Sequence, residues 1–215
     1  MKTEDLIVQL TRSLEPVQPL ASPFVRLIRW AALSAGVATL GVLVIGARAD
    51  FANAVREPAF AALAMMAMAT GIAAAASALI LSVPGSERSP AQRGVPLLIF
   101  GGWAASLAVM LVSGGAALER LRALPVHPLC VIEIAGFALI PGWVLFRMLR
   151  RAAPLKRVWT AVFAALAATA LGVAATQILC PIDDPAHHLV GHMVPAVLFT
   201  MLGALFRQRS LVWLR

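Results

Sequence analysis

Long apolar runs separated by short polar connections set the organisation of this chain. A helix needs about 20 mainly apolar residues to cross a bilayer's hydrocarbon layer. Six stretches approach or meet that length: residues 30–46, 59–82, 95–118, 129–146, 158–179 and 188–206. The first is short and is expected to begin by Leu27, and the last opens on His188, which places its start in a wet layer. Connections are rich in Pro, Gly and charge, as in Val83-Pro84-Gly85-Ser86-Glu87-Arg88, and no soluble domain fits between two runs. The pattern predicts an all-α membrane protein built as a bundle of six transmembrane helices. Small residues such as Gly101-Gly102 and Gly114-Gly115 let helix backbones approach closely.

A different pattern precedes the first run. Leu6, Ile7, Leu10 and Leu14 fall at i, i+1, i+4 and i+8, one stripe of a helix. Thr3 can cap that helix, Glu4 and Asp5 suit its first turn, and Pro16 ends it. Its polar positions carry Glu4, Asp5 and Glu15 against Lys2 and Arg12. Helices that lie on anionic lipid favour Lys and Arg instead. A groove on a soluble partner therefore fits this helix better. An isolated helix this short is marginal in water, so it is expected to fold on binding. The division that follows is a cytoplasmic partner-binding segment over 1–26 and a membrane domain over 27–215.

Composition supports the membrane assignment. The chain is 60% hydrophobic and 13% charged, with mean hydropathy +0.86, whereas soluble domains are about 45–50% apolar and about 25% charged. The net charge of +8 does not read as nucleic-acid binding, because the basic residues flank the apolar runs. With the N-terminus inside, 14 of the 18 Lys and Arg residues fall on the inner side, and only Arg48, Arg56, Arg120 and Arg122 fall outside. The excess of inner cations orients the bundle with both termini cytoplasmic. Residues 1–20 lack a continuous apolar core, so the first span is expected to serve as the targeting signal.

The two cysteines carry the candidate chemistry. Cys130 stands at the very start of the fourth run and Cys180 follows the fifth, so both map to the outer side, where a bacterial protein meets oxidising conditions. His127, His187, His188 and His192 lie near the same side. Cys130 and Glu133 are three apart and share a helix face, as do His188 and His192 at a spacing of four. Glu133 is the one carboxylate inside a predicted span, and an ionisable group there is costly. Thiolates with imidazoles suit Zn2+, Cu+ or Cd2+ as a signal ion. The candidate metal set is Cys130, Cys180, His188, His192 and Glu133, without any CxxC or HExxH spacing. Three readings of the thiol pair stay open: a structural disulfide, a sensory site switched by metal or oxidation, and a catalytic pair. A quinone-linked disulfide oxidase would carry more thiols, including a CxxC.

Motif order then points to a family. Met1-Lys2-Thr3-x-x-Leu6-Ile7-x-x-Leu10 leads to Leu14-x-Pro16-Val17, six spans follow, a cysteine stands at the start of the fourth, Cys180-Pro181 follows the fifth, and His192-x-x-Pro195 opens the sixth. In this order the chain resembles the NrsF-type polytopic membrane anti-sigma factors over nearly its whole length. Gly191 stands where that pattern often has an aromatic residue. The resemblance implies a regulator, not an enzyme, with no obligatory cofactor. It implies a protein that holds an extracytoplasmic-function (ECF) sigma factor at the bacterial inner membrane and releases it in response to heavy metals or oxidants. Cys130 and Cys180 match the family's signal-response cysteines, and the stripe Leu6, Ile7, Leu10, Leu14 matches the segment positioned to hold sigma. A small transporter or a thiol-redox membrane protein is the alternative. The spans offer such a protein few polar groups, and no histidine pair sits deep on two helices to ligate haem.

Overall fold

A computed structural model describes residues 3–11, 19–85, 90–123, 128–152 and 154–210. All regular structure among them is helical, and six helices are long and apolar enough to cross a membrane. The predicted fold class is therefore the observed one. The helices are α1 (Thr3–Thr11), α2 (Pro23–Ile45), α3 (Phe51–Ala54), α4 (Pro58–Leu81), α5 (Ala91–Ser113), α6 (Ala117–Arg122), α7 (Pro128–Arg150), α8 (Arg157–Gln177), α9 (Pro185–His187) and α10 (Val194–Ser210). Between α9 and α10 runs a π-helix, His188–Met193.

Three boundaries differ from the sequence expectation. α2 begins at Pro23, so the division drawn after residue 26 falls inside a helix. Arg26 and Arg29 interrupt the apolar run, yet Ser22 caps the helix at Val25 N and Pro23 occupies its first turn. Arg26 is itself buried, donating to Ser82 Oγ at 3.3 Å and to the Met148 carbonyl. α5 stops at Ser113 rather than 118, because Gly115 turns the chain with φ 68°. The sixth segment is not one α-helix but α9, the π-helix and α10 in succession.

α8 is the centre of the bundle. Its apolar window is 72% buried, against 11% for α2, and it packs against α4, α7 and α10. Alanine and glycine make that possible. A Cβ on Gly172 would lie 2.7 Å from the Ile134 carbonyl oxygen of α7, and one on Gly71 would lie 2.8 Å from Leu171. Gly172→Val is therefore expected to force α7 and α8 apart and destabilise the bundle by about 1–3 kcal/mol, the usual cost of overpacking. A lowered midpoint of thermal unfolding in detergent checks this.

The helices alternate in direction, and contacts at the two ends document it. At one end, Cys130 opens α7, Cys180 follows α8, and Arg48 follows α2; the Arg48 guanidinium donates to the Cys180 carbonyl at 3.0 Å. At the opposite end, Arg26 near the start of α2 meets Ser82 after α4 and Met148 near the end of α7. Midway, the Trp30 indole, fully buried, donates to the Pro141 carbonyl of α7 at 2.9 Å. α1 stands apart in character: its side chains from Thr3 to Gln9 are exposed, with Leu6 at 40% and Ile7 at 55%. The Leu10 side chain and the whole of Leu14 lie outside the described residues, as does His127.

Candidate functional site

The two thiols meet at the cysteine end of the bundle. Cys130 comes from the first turn of α7, and Cys180 from the short connection between α8 and α9. The Cys130 thiol donates to the Cys180 sulfur across 3.5 Å, and the two are not bonded. His187 Nε2 lies 3.3 Å from the Cys180 sulfur and 3.7 Å from the Cys130 sulfur. His192 closes the group: one ligand atom from each of Cys130, Cys180, His187 and His192 lies within 4.8 Å of all the others. The four are 5%, 4%, 1% and 0% exposed. Neither ring nitrogen of His192 reaches hydrogen-bonding geometry with any partner among the described residues.

The sequence-derived ligand set is thus rearranged. Cys130, Cys180 and His192 are brought together, while His188 and Glu133 lie outside the four-residue group and His187 takes a place in it. Helix register brings His187 as well as His188 against His192, and it is His187 whose Nε2 reaches both sulfurs. In an α-helix, residues four apart share a face, which pairs His188 with His192. In a π-helix the repeat widens to i, i+5, which aligns His187 with His192; their ring centroids are 5.1 Å apart. His188 stays adjacent, edge-on to His192 at 4.8 Å. Gly191 makes the arrangement sterically feasible, because a Cβ there would sit 3.0 Å from His187 Cε1. Glu133 is half-buried one turn along α7 from Cys130.

Local sequence places His187. Asp184 accepts from Ala186 N at 2.8 Å and Pro185 follows at the first helical position. An Asp-Pro start of this kind is a readable helix-start signal, and it puts His187 inside the helix rather than before it.

Arg48 is the residue that sequence reading missed. Its side chain is buried, yet it holds two carboxylates: Asp50 through Nε at 2.6 Å and Nη2 at 2.8 Å, and Asp183 through Nη1 and Nη2 at 2.6 Å each. It also donates to the Cys180 carbonyl at 3.0 Å, and its backbone N–H bonds the Ile178 carbonyl at 3.0 Å. The cation further lies over the Phe60 ring at 5.6 Å. Arg48 therefore pins the connection carrying Cys180 to the α2–α3 corner. Bonds to Asp183 and then Asp50 raise its pKa above the ordinary guanidinium range, and Arg48 in turn holds the Asp50 carboxyl below its ordinary range.

The electrostatics favour a Cys180 thiolate. Donation from the Cys130 thiol, with a smaller contribution from the neighbouring His192 ring, drives the Cys180 pKa well below that of an ordinary cysteine. The folded value is depressed, so the thiolate persists as pH falls below the ordinary thiol pKa of about 8.5. It is lost only when pH drops through the lowered value. Alkylation of Cys180 should accordingly stay nearly level from pH 8 down to about pH 6, where an ordinary thiol slows by about a hundredfold. Cys130→Ala removes the donor and should restore the steep pH dependence; rates read by mass spectrometry check both.

No curated protein and no solved structure matches the chain. A family model described as "Negative regulator of sigma F" matches residues 10–213, nearly the full length. With its six spanning helices, the chain belongs to the NrsF family of sigma-factor negative regulators.

Proposed function

We propose that this protein is a membrane-embedded anti-sigma factor that binds an ECF sigma factor through α1 and releases it when a heavy metal or an oxidant acts on Cys130 and Cys180. The observation that carries the sigma-binding half is the exposed apolar stripe of α1. Leu6 and Ile7 face solvent on a helix of nine residues whose first turn is acidic. Leaving such a stripe in water is unfavourable, and an apolar groove on a soluble partner removes the penalty. The inner-side excess of Lys and Arg supports both termini lying in the cytoplasm, where sigma is found, and the cysteine end facing the periplasm across the inner membrane.

Contiguous structure supports a route between the two ends. α7 begins at Cys130 and receives the Trp30 and Arg26 bonds of α2 further along. α2 directly follows the N-terminal segment. A shift of α7 on a change at Cys130 would be passed to α2 through those two bonds. A coupling free energy of about 1–3 kcal/mol alters partner affinity about 5–150-fold, which suffices for a transcriptional switch.

A reporter for sigma-dependent transcription tests the reading. Leu6→Asp with Ile7→Asp places two charges on the stripe and is expected to raise reporter output without any inducer, to the level of a strain lacking this protein. Continued repression, with the variant present in the membrane at normal abundance, would sink the role of α1.

A further inference from the structure

Three of the four ligand atoms already have the spacing of a tetrahedral metal site, and the fourth lies within 4.8 Å of them. With metal–sulfur bonds near 2.3 Å and metal–nitrogen bonds of about 2.0–2.1 Å, the ligand atoms of a tetrahedral ion are separated by about 3.3–3.8 Å. The Cys130 sulfur, the Cys180 sulfur and His187 Nε2 form a triangle with edges of 3.5, 3.3 and 3.7 Å. That triangle is already one face of such a tetrahedron. The fourth vertex falls to His192, which is fully buried with neither nitrogen partnered among the described residues. An unsatisfied buried polar group costs about 1–3 kcal/mol and calls for a partner; a cation bound at the triangle's open side supplies one.

We propose that Cys130, Cys180, His187 and His192 together bind one closed-shell thiophilic ion of the Zn2+ and Cd2+ class, and that the two histidines serve this metal input alone. The proposal rests on the sensory reading of the thiol pair above and extends it to a ligand set. Two sulfurs and two imidazoles with no carboxylate disfavour hard ions such as Mg2+ and Ca2+. All four ligands are buried, so the site closes around the ion and leaves no open coordination position, as structural tetrahedral sites do.

Oxidation needs only the sulfurs. With hydrogen peroxide as oxidant, the Cys180 thiolate attacks one oxygen as the O–O bond breaks, giving a sulfenic acid while the other oxygen takes a solvent proton and leaves as water. The Cys130 sulfur then displaces the sulfenic hydroxyl, which takes up the Cys130 thiol proton and leaves as a second water as the S–S bond forms. The sulfurs need to close from 3.5 Å to about 2 Å. No imidazole is consumed, so the two inputs are separable by mutation.

The test uses the reduced full-length protein in detergent, titrated with Co2+ as a spectroscopic probe and then with Cd2+ in competition. One ion per chain is expected, with the intense visible bands of tetrahedral Co2+ and a thiolate charge-transfer band. His187→Gln and His192→Gln should each weaken binding at least about tenfold, by analogy with the losses seen when metal-site partners are removed. His188→Gln should bind as the unaltered chain does, and His187→Cys, which keeps a soft donor, should retain tight binding. In cells, the His187→Gln and His192→Gln pair should lose induction by Cd2+ and keep induction by peroxide. An octahedral spectrum, binding indifferent to both histidines, or loss of binding in His188→Gln would each overturn the site. Sigma capture by the same preparations separates the two claims. Capture without metal binding overturns the site and leaves the anti-sigma reading standing; metal binding without capture does the reverse.

Discussion

Cys130→Ser combined with Cys180→Ser is expected to keep sigma-dependent transcription repressed and to abolish its induction by metal and by peroxide alike. Serine preserves the size of each side chain and its capacity to donate a hydrogen bond, so packing at the start of α7 and in the Cys180 connection is retained. It removes everything the proposed signal would use: a hydroxyl cannot form an S–S bond, and it is a poor ligand for a soft ion. The inducible range, about 5–150-fold for a coupling of about 1–3 kcal/mol, should collapse to no induction. Each single variant should also lose peroxide induction, because a disulfide needs both sulfurs. Transcription that is high without inducer in the double variant would mean that the thiols help hold the resting state, and the purely sensory role would be wrong.

Arg48→Ala is expected to be the most damaging single change at the cysteine end. It strands Asp183 and Asp50, each about half exposed, and frees the Cys180 carbonyl from its donor. Breaking a fully buried ion pair costs about 3–5 kcal/mol. Here the carboxylates keep contact with water, so a cost of about 2–3 kcal/mol is expected, in line with charge-assisted hydrogen bonds at about 1.5–3 kcal/mol each. The loss should appear as a lower thermal midpoint and as faster maleimide labelling of both thiols, since the connection bearing Cys180 is no longer anchored. Arg48→Lys should restore little. An ammonium cannot hold Asp50 and Asp183 through paired bonds and reach the Cys180 carbonyl at the same time. Unchanged labelling rates in Arg48→Ala would show that the connection is held by other contacts.

The six spans were legible because length and hydropathy are one-dimensional signals, and charge at their ends, such as Arg26 at the start of α2, blurred only the boundaries. The meeting of Cys130 and Cys180 was legible too: two crossings, an even number, separate the start of the fourth helix from the end of the fifth, so both fall at one end. The choice between His187 and His188 was not. It depends on whether the turn after Pro185 repeats every four residues or every five, and the apolar pattern around Leu189 and Val190 accommodates either. Asp184-Pro185 carried half of the missing information, by placing the helix start ahead of His187. Arg48 was hidden for another reason. Its partners Asp183 and Cys180 are remote in the chain, and in sequence it is merely one of four cations on the side with few of them.

The proposed function requires that α1 hold a sigma factor at the membrane and that the thiol site control the hold. Co-purification tests it most directly. The full-length protein is captured in detergent from cells expressing each candidate sigma factor, with and without Leu6→Asp and Ile7→Asp, and before and after treatment with Cd2+ or peroxide. Stoichiometric capture of one sigma factor is expected, with loss of that capture in the charged-stripe variant and release on either treatment unless Cys130 and Cys180 are replaced by serine. A folded protein that captures no sigma factor, or one that captures it equally well with the stripe charged, would contradict the proposed function.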